Sequence, residues 1–197
     1  MPTSLLFVRH GETTWNVARR WQGQADTPLT ENGESQARDV ARELAALAER
    51  PWTRIVTSDL QRARRTAEAI ASELDLSVEL EPRLRERDVG SWSGLTHDEV
   101  QARDPEAYRA FREGDPTIRM GGGESTLDLR ARALEAIGDL REDAHAQVIV
   151  VTHLGLIRSL VPGADVGNTG RLSLDAEALL ASPAPTVETG IASDSAL

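Results

Sequence analysis

Apolar residues in this chain fall into two alternating patterns. Short unbroken runs occur at Ser4 to Val8, at Ile55-Val56-Thr57 and at Val148 to Thr152. Runs of this length, rich in Val and Ile and closed by polar residues, mark strands covered on both faces. Between them the apolar positions recur every three or four residues. Thr30 caps one such stretch, with Val40, Leu44 and Leu47 facing inward and Pro51 at its end. A second extends from Leu60 to Leu74, where Ala63, Ala67 and Ile70 form the buried stripe and Arg62, Arg64 and Arg65 take other faces. Ser125 and Asp128 cap a third helix from Thr126 to Asp143, with Leu127, Leu134, Ile137 and Leu140 inward. Strand alternating with helix predicts an α/β fold built on parallel strands joined by right-handed connections.

The remaining segments are weaker. Val78 to Leu80 reads as another strand, and Leu84 to Gly90 as a polar loop closed by glycine. Residues 91–123, with Pro105, Pro116 and Gly121-Gly122-Gly123, read as irregular or weakly helical and as a lid or specificity insertion. Pro162-Gly163 stops a helix, and Arg171 to Leu174 forms a last strand. Residues 1–181 are expected to form a single domain, and 182–197, rich in Ala, Ser, Pro and Thr, a flexible tail.

The three main strands end in reactive side chains. The first ends in Arg9-His10, the second in Ser58-Asp59 with Arg62 one turn later, and the third in His153. In a parallel sheet these carboxyl ends share one edge, where α/β proteins bind ligands. The arginines offer planar forks for phosphate or carboxylate, and the imidazoles offer nucleophilic or proton-carrying nitrogen near neutral pH.

Composition narrows the chemistry. The chain has 197 residues, 40% of them hydrophobic, and a formal charge of -10. That charge argues against a nucleic-acid or anionic-membrane surface and makes a cationic cluster a local anion site. Every one of the 22 basic residues is arginine, which excludes a Schiff-base lysine. Cysteine is absent and the four histidines lack ligand spacing, so no metal or other cofactor is expected. The amino terminus carries no signal or spanning pattern, which suggests a cytoplasmic protein. Oligomeric state is not legible.

Four motifs carry a resemblance. Leu6-Phe7-Val8-Arg9-His10-Gly11-Glu12-Thr13, Ser58-Asp59-Leu60-Gln61-Arg62-Ala63, Leu84-Arg85-Glu86 and Val151-Thr152-His153 resemble, in order, the signatures of the histidine phosphatase superfamily, the phosphoglycerate mutase-like group. Pro28-Leu29-Thr30, Gly33, Gln36-Ala37 and Gly122-Gly123-Glu124-Ser125 extend the similarity over residues 4–160. The resemblance implies a three-layer α/β/α sandwich with a mostly parallel central sheet.

It also implies roles. His10 would be the phosphoryl-accepting nucleophile, its second ring nitrogen fixed by a backbone carbonyl such as that of Gly11. Arg9, Asn16, Arg62 and His153 would bind phosphate, and Glu86 would be the proton donor. Gln22 and Gly23 fall where the family contacts substrate. Trp15, Trp21 and Trp92 either wall the pocket or pack beneath its loops. His97 is expected to flank a helix of the insertion and His145 to sit in an exposed turn. Two departures stand out: Leu154 occupies the position that usually holds glycine, with Gly155 next, and Gly167-Asn168-Thr169-Gly170 arrives early before the last strand.

The implied activity is a metal-independent phosphomonoesterase acting on a small phosphorylated metabolite. Cofactor-dependent phosphoglycerate mutases of the family resemble longer chains, which favours the phosphatase. A non-catalytic phospho-ligand or protein-binding module is the alternative from another class.

Overall fold

Side chains of the central strands alternate between two helical layers and are buried on both faces. The computed structural model describes residues 3–47, 52–141 and 147–183. Strand β1 (Ser4–Arg9) sends Leu5 and Phe7 to one face and Leu6 and Val8 to the other. Strand β2 (Arg54–Thr57) likewise divides Ile55 from Val56. The third strand of the sequence reading, β3 (Val78–Leu80), is short and lies at an edge. Strand β4 (Gln147–Thr152) splits Val148 and Val150 from Ile149 and Val151, and β5 (Arg171–Asp175) closes the set. The order is β3-β2-β4-β1-β5, with every pairing parallel except the antiparallel β1–β5.

Three layers result, as the sequence implied. After a single capped turn, α1 (Thr14–Val17), helices α2 (Glu31–Ala46) and α3 (Gln61–Leu74) cover one face through Val40, Ala41, Leu44, Ala63, Ala67 and Ile70. Helices α4 (His97–Arg103) and α5 (Pro105–Glu113) form the insertion. The other face is covered by α6 (Thr126–Arg141), α7 (Leu154–Leu160) and α8 (Ala176–Ala181). Among the described residues no helix is long and apolar enough to cross a membrane.

Several sequence expectations need correction. Within residues 91–123 the helical reading holds over 97–113, in two capped helices rather than weak ones. Thr96 and Glu99 form a capping box for α4, and Pro105 sits in the first turn of α5. These helices bury Val100, Tyr108 and Phe111 against Trp21, Val89, Trp92 and Met120, a third apolar cluster. The periodicity is faint because much of that cluster lies outside the two helices, at Trp21, Val89, Trp92, Leu95 and Met120. In α6 the core face is Leu129, Ala133, Ala136, Ile137 and Leu140, with half-buried Leu134 packed against it, while Leu127 is half-buried and outside the cluster. Leu47, past the end of α2, is exposed. Arg62 does not take an outer face of α3; it is fully buried. Helix α8 was not foreseen, and the carbonyls of Ser182 and Pro183 accept hydrogen bonds from Arg130, so the chain is anchored there. Pro51, His145 and the tail from 184 onward lie outside the described residues.

The glycine triplet ties the insertion to the sheet edge. Gly121 (φ 56°) lies so close to the 89–92 turn that a Cβ would sit 2.4 Å from the Val89 carbonyl oxygen. Gly114 (φ 84°) ends α5 in open space. Gly121→Ala should therefore cost about 3 kcal/mol or more, and Gly114→Ala about 1 kcal/mol, in denaturant unfolding.

Candidate active site

The carboxyl end of β1 is gripped from both neighbouring strands. The His10 N–H donates to the Thr152 carbonyl at 3.0 Å, and the Arg9 N–H to that of Gly170 at 3.1 Å. Arg9 Nη1 donates to the Val166 carbonyl at 2.9 Å, and Asn168 Nδ2 to that of His10 at 3.0 Å. The early Gly167 to Gly170 turn thus clamps the motif. His10 Nδ1 lies 2.7 Å from the Gly11 carbonyl oxygen. A carbonyl only accepts, so Nδ1 carries the proton and Nε2 keeps its lone pair. Thr66 Oγ1 accepts the Gly11 N–H at 3.1 Å and fixes that peptide.

Arg62 reaches the same place from the first turn of α3. Its Nη1 and Nη2 donate to the carbonyls of Ala25 and Gly23, each at 2.8 Å. Burial pulls its guanidinium down to a pKa of about 10. His153 lies beneath, its ring 5.1 Å from that of His10 and its Nε2 3.0 Å from Ser58 Oγ. Burial, followed by the charge of Arg62, holds both imidazoles well below the usual histidine range, so both are neutral at pH 7. Arg9 Nε, Arg62 Nε and His153 Nδ1 are buried without a partner.

Glu86 faces this cluster across the sheet edge. Its carboxylate accepts the N–H of Arg87 at 2.8 Å and of Gly155 at 3.0 Å, and forms no ion pair with Arg85, which binds Asp59. A Cβ at position 155 would lie 2.2 Å from Glu86 Oε1, which is why glycine stands there. Arg132 holds the backbone behind Glu86 by donating to the carbonyls of Arg83, Arg85 and Glu86, and it pairs with Glu124 at 2.7 Å.

A cavity of about 580 Å³ opens above these groups. Of the residues singled out in the sequence, Arg9, His10, Asn16, Gln22, Gly23, Arg62 and Glu86 line it, whereas fully buried His153 does not reach its wall. Gln22 Oε1 accepts from Thr13 and Thr27, which turns its NH₂ group away from those partners. Asn16 is also the cap partner of Thr13. Trp15 and Trp21 wall the cavity, whereas Trp92 is packed beneath it. His97 does more than flank a helix: it lines the cavity, its ring tilted against that of Trp21 with centroids 4.7 Å apart. Leu154 contributes to the wall while packing on the core, so the loop accommodates its side chain.

The sequence reading missed the supports. Ser58 was visible only as part of a motif, and Thr66, Arg132 and Asn168 looked like ordinary helix and turn residues. No pattern distinguishes an arginine that braces a loop from one that is solvated. Among the described residues no three His, Cys, Asp or Glu side chains converge to hold a metal ion.

A sheet edge bearing these groups is the mark of one class of protein. Residues 5–177 match the model of the histidine phosphatase superfamily, branch 1, and the chain belongs to that family. It is 39% identical over 165 residues to the glucosyl-3-phosphoglycerate phosphatase of Mycobacterium tuberculosis, covering 79% of this chain and 72% of that one. To the metal-independent phosphoserine phosphatase of Arabidopsis thaliana it is 42% identical over 161 residues, covering 80% and 67%. The solved mycobacterial glucosyl-3-phosphoglycerate phosphatase in complex with VO3 superposes with a TM-score of 0.79 at 36% identity, over 88% of this chain and 91% of that one.

The buried neutral histidines set a pH dependence. Below about pH 6.5 the unfolded chain protonates His10 and His153 while the folded protein does not, so the unfolded state gains stability. Unfolding free energy should therefore decline as pH falls from 6.5 to 5, by up to about 1.4 kcal/mol per pH unit for each histidine. Denaturant titrations at several pH values should show the slope, and His10→Asn should reduce it.

Proposed function

We propose that this chain hydrolyses phosphate monoesters of small metabolites through a phosphohistidine at His10, without a metal ion. The observation that carries this reading is a neutral imidazole whose Nδ1–H is anchored on Gly11, set among guanidinium and imidazole groups with unpartnered donors. The relatives named as phosphatases support it.

In the first step the Nε2 lone pair of His10 attacks phosphorus and the ester P–O bond breaks. Glu86 gives its proton to the departing alkoxide. Arg9 and Arg62, with Asn16, hold the three phosphoryl oxygens, where positioning and charge supply most of the rate. The Ser58 hydroxyl, which already accepts the Leu60 N–H, donates to His153 Nε2; Nδ1 then carries the proton, and the neutral ring backs His10 from beneath the phosphate seat. In the second step Glu86, now a carboxylate, takes a proton from water as its oxygen attacks phosphorus and the N–P bond breaks. Inorganic phosphate leaves and both residues return to their starting forms. Gln22 and Gly23 contact the organic part of the substrate, and the insertion sets its shape. A small metabolite suits a cavity walled on the outer side by Trp15, Trp21 and Phe111. A cytoplasmic location belongs to this reading.

Release of phosphate from an aryl phosphate should persist in EDTA. His10→Ala should lower it about 10³-fold or more with the fold intact. In kcat/KM, which reports the first step, Glu86→Gln should cost about 10²- to 10⁴-fold with an alkyl phosphate and much less with an aryl phosphate, whose leaving group needs no proton. Activity that requires added metal, or that survives His10→Ala, would overturn the reading. Conversion of 3-phosphoglycerate to its 2-phospho isomer without phosphate release would assign a mutase.

A second readout concerns the Glu86 support. Gly155→Ala should drive a methyl group into the carboxylate and lower kcat about 10²-fold, with little change in KM.

A further inference from the structure

The two edges of the sheet are protected differently. At one edge β3 is only three residues long and its Glu79 is paired with Arg54, a short charged strand of the kind that discourages further pairing. At the other edge β5 runs for five residues in unbroken register with β1, without proline or bulge.

That register determines which backbone groups of β5 are free. Leu172 and Leu174 stand opposite Phe7 and Leu5, and the ladder is extended at its ends by the Arg9 N–H on the Gly170 carbonyl and the Ala176 N–H on that of Thr3. Residues 170, 172, 174 and 176 therefore turn their N–H and C=O groups toward β1, while Arg171, Ser173 and Asp175 turn theirs outward. Among the described residues these outward groups have no partner, except the Asp175 carbonyl, which opens α8. The side chains divide in the same way. Leu172 and Leu174 pack on the core under α6 to α8, and Arg171 lies on the other face, where it pairs with Glu43 of α2 at 2.8 Å. Helix α8 turns back over the core through Ala176 and Leu179 rather than along the edge.

The sequence Arg171-Leu172-Ser173-Leu174-Asp175 is its own complement. Set antiparallel to a second copy about a two-fold axis at Ser173, it places Arg171 opposite the partner's Asp175, Leu172 opposite the partner's Leu174, and Ser173 opposite its own equivalent. The outward groups then meet: the two Ser173 residues exchange N–H and C=O, and each Asp175 N–H reaches an Arg171 carbonyl. A shift of two residues either way sets a charge opposite serine and loses one of these facing pairs.

We propose that β5 is the docking edge for a second copy of this chain, which joins two five-stranded sheets into one across a two-fold axis. Opposite charges and matched leucines select this register, and the proposal does not depend on the phosphatase reading.

Sedimentation velocity of the full chain across micromolar concentrations should show a species of twice the chain mass. Ser173→Pro removes an outward N–H and leaves the β1 ladder whole, so it should raise the dimer Kd about 10-fold or more with an unchanged circular dichroism spectrum. Arg171→Asp sets like charges opposite each other, and so does Asp175→Arg; each alone should weaken the dimer about 10-fold or more, whereas an equimolar mixture restores opposite charges at both ends and should associate. Asp175 also caps α8, so if Asp175→Arg does not fold, Ser173→Pro and Arg171→Asp carry the test. A monomeric wild type, a dimer indifferent to Ser173→Pro and Arg171→Asp, or folded charge variants that associate no better mixed than alone would overturn the proposal.

Discussion

Cationic charge held out of water with little acidic compensation is the constraint on which the rest of this structure depends. Arg9 and Arg62 are tethered by backbone carbonyls, whose partial charges satisfy some donors without neutralising the ion. The remaining field is directed toward an anion that the protein does not itself supply. Burial, reinforced by this field, keeps His10 neutral, and a neutral ring is the form with a lone pair to offer. An acidic chain can afford such a site because the positive charge is local.

The fold supplies the tethers. Parallel β1, β2 and β4 end together, and the antiparallel β5 brings the 166–170 turn across the end of β1. That turn is short, but it supplies the Arg9 and His10 backbones with their acceptors and donors. Glu86 depends on a different kind of support, a loop without regular structure held by Arg132 and by the close approach of Gly155. A proton donor on such a loop needs bracing, since a small displacement of a reacting group is expensive in rate.

The insertion links specificity to stability. Its helices have little core of their own and borrow Trp21 and Trp92, so the aromatic wall of the cavity is also the packing that holds α4 and α5. Changes to substrate shape would therefore carry a folding cost. Met120 belongs to this cluster and is also the neighbour of Arg87, which makes the position of that guanidinium sensitive to how the insertion packs.

The sequence by itself determined the strands, the two helices after β1 and β2, and the motif residues at the strand ends, because backbone period and burial pattern are local properties. It also marked Arg9, His10, Arg62 and Glu86, since their motifs come in order with fixed spacing. Tertiary structure alone decided that Arg62 is buried, that Leu129 rather than Leu127 faces the core, and that residues 91–123 form two helices. It also decided that Asn168, Ser58, Thr66 and Arg132 hold the reacting groups, and that His153 stands behind His10 rather than on the cavity wall. The physical reason is common to all of these. A hydrogen bond or a contact between distant segments leaves no period in the sequence, and whether an arginine is solvated, structural or poised for a ligand depends on which carbonyls the fold brings within reach.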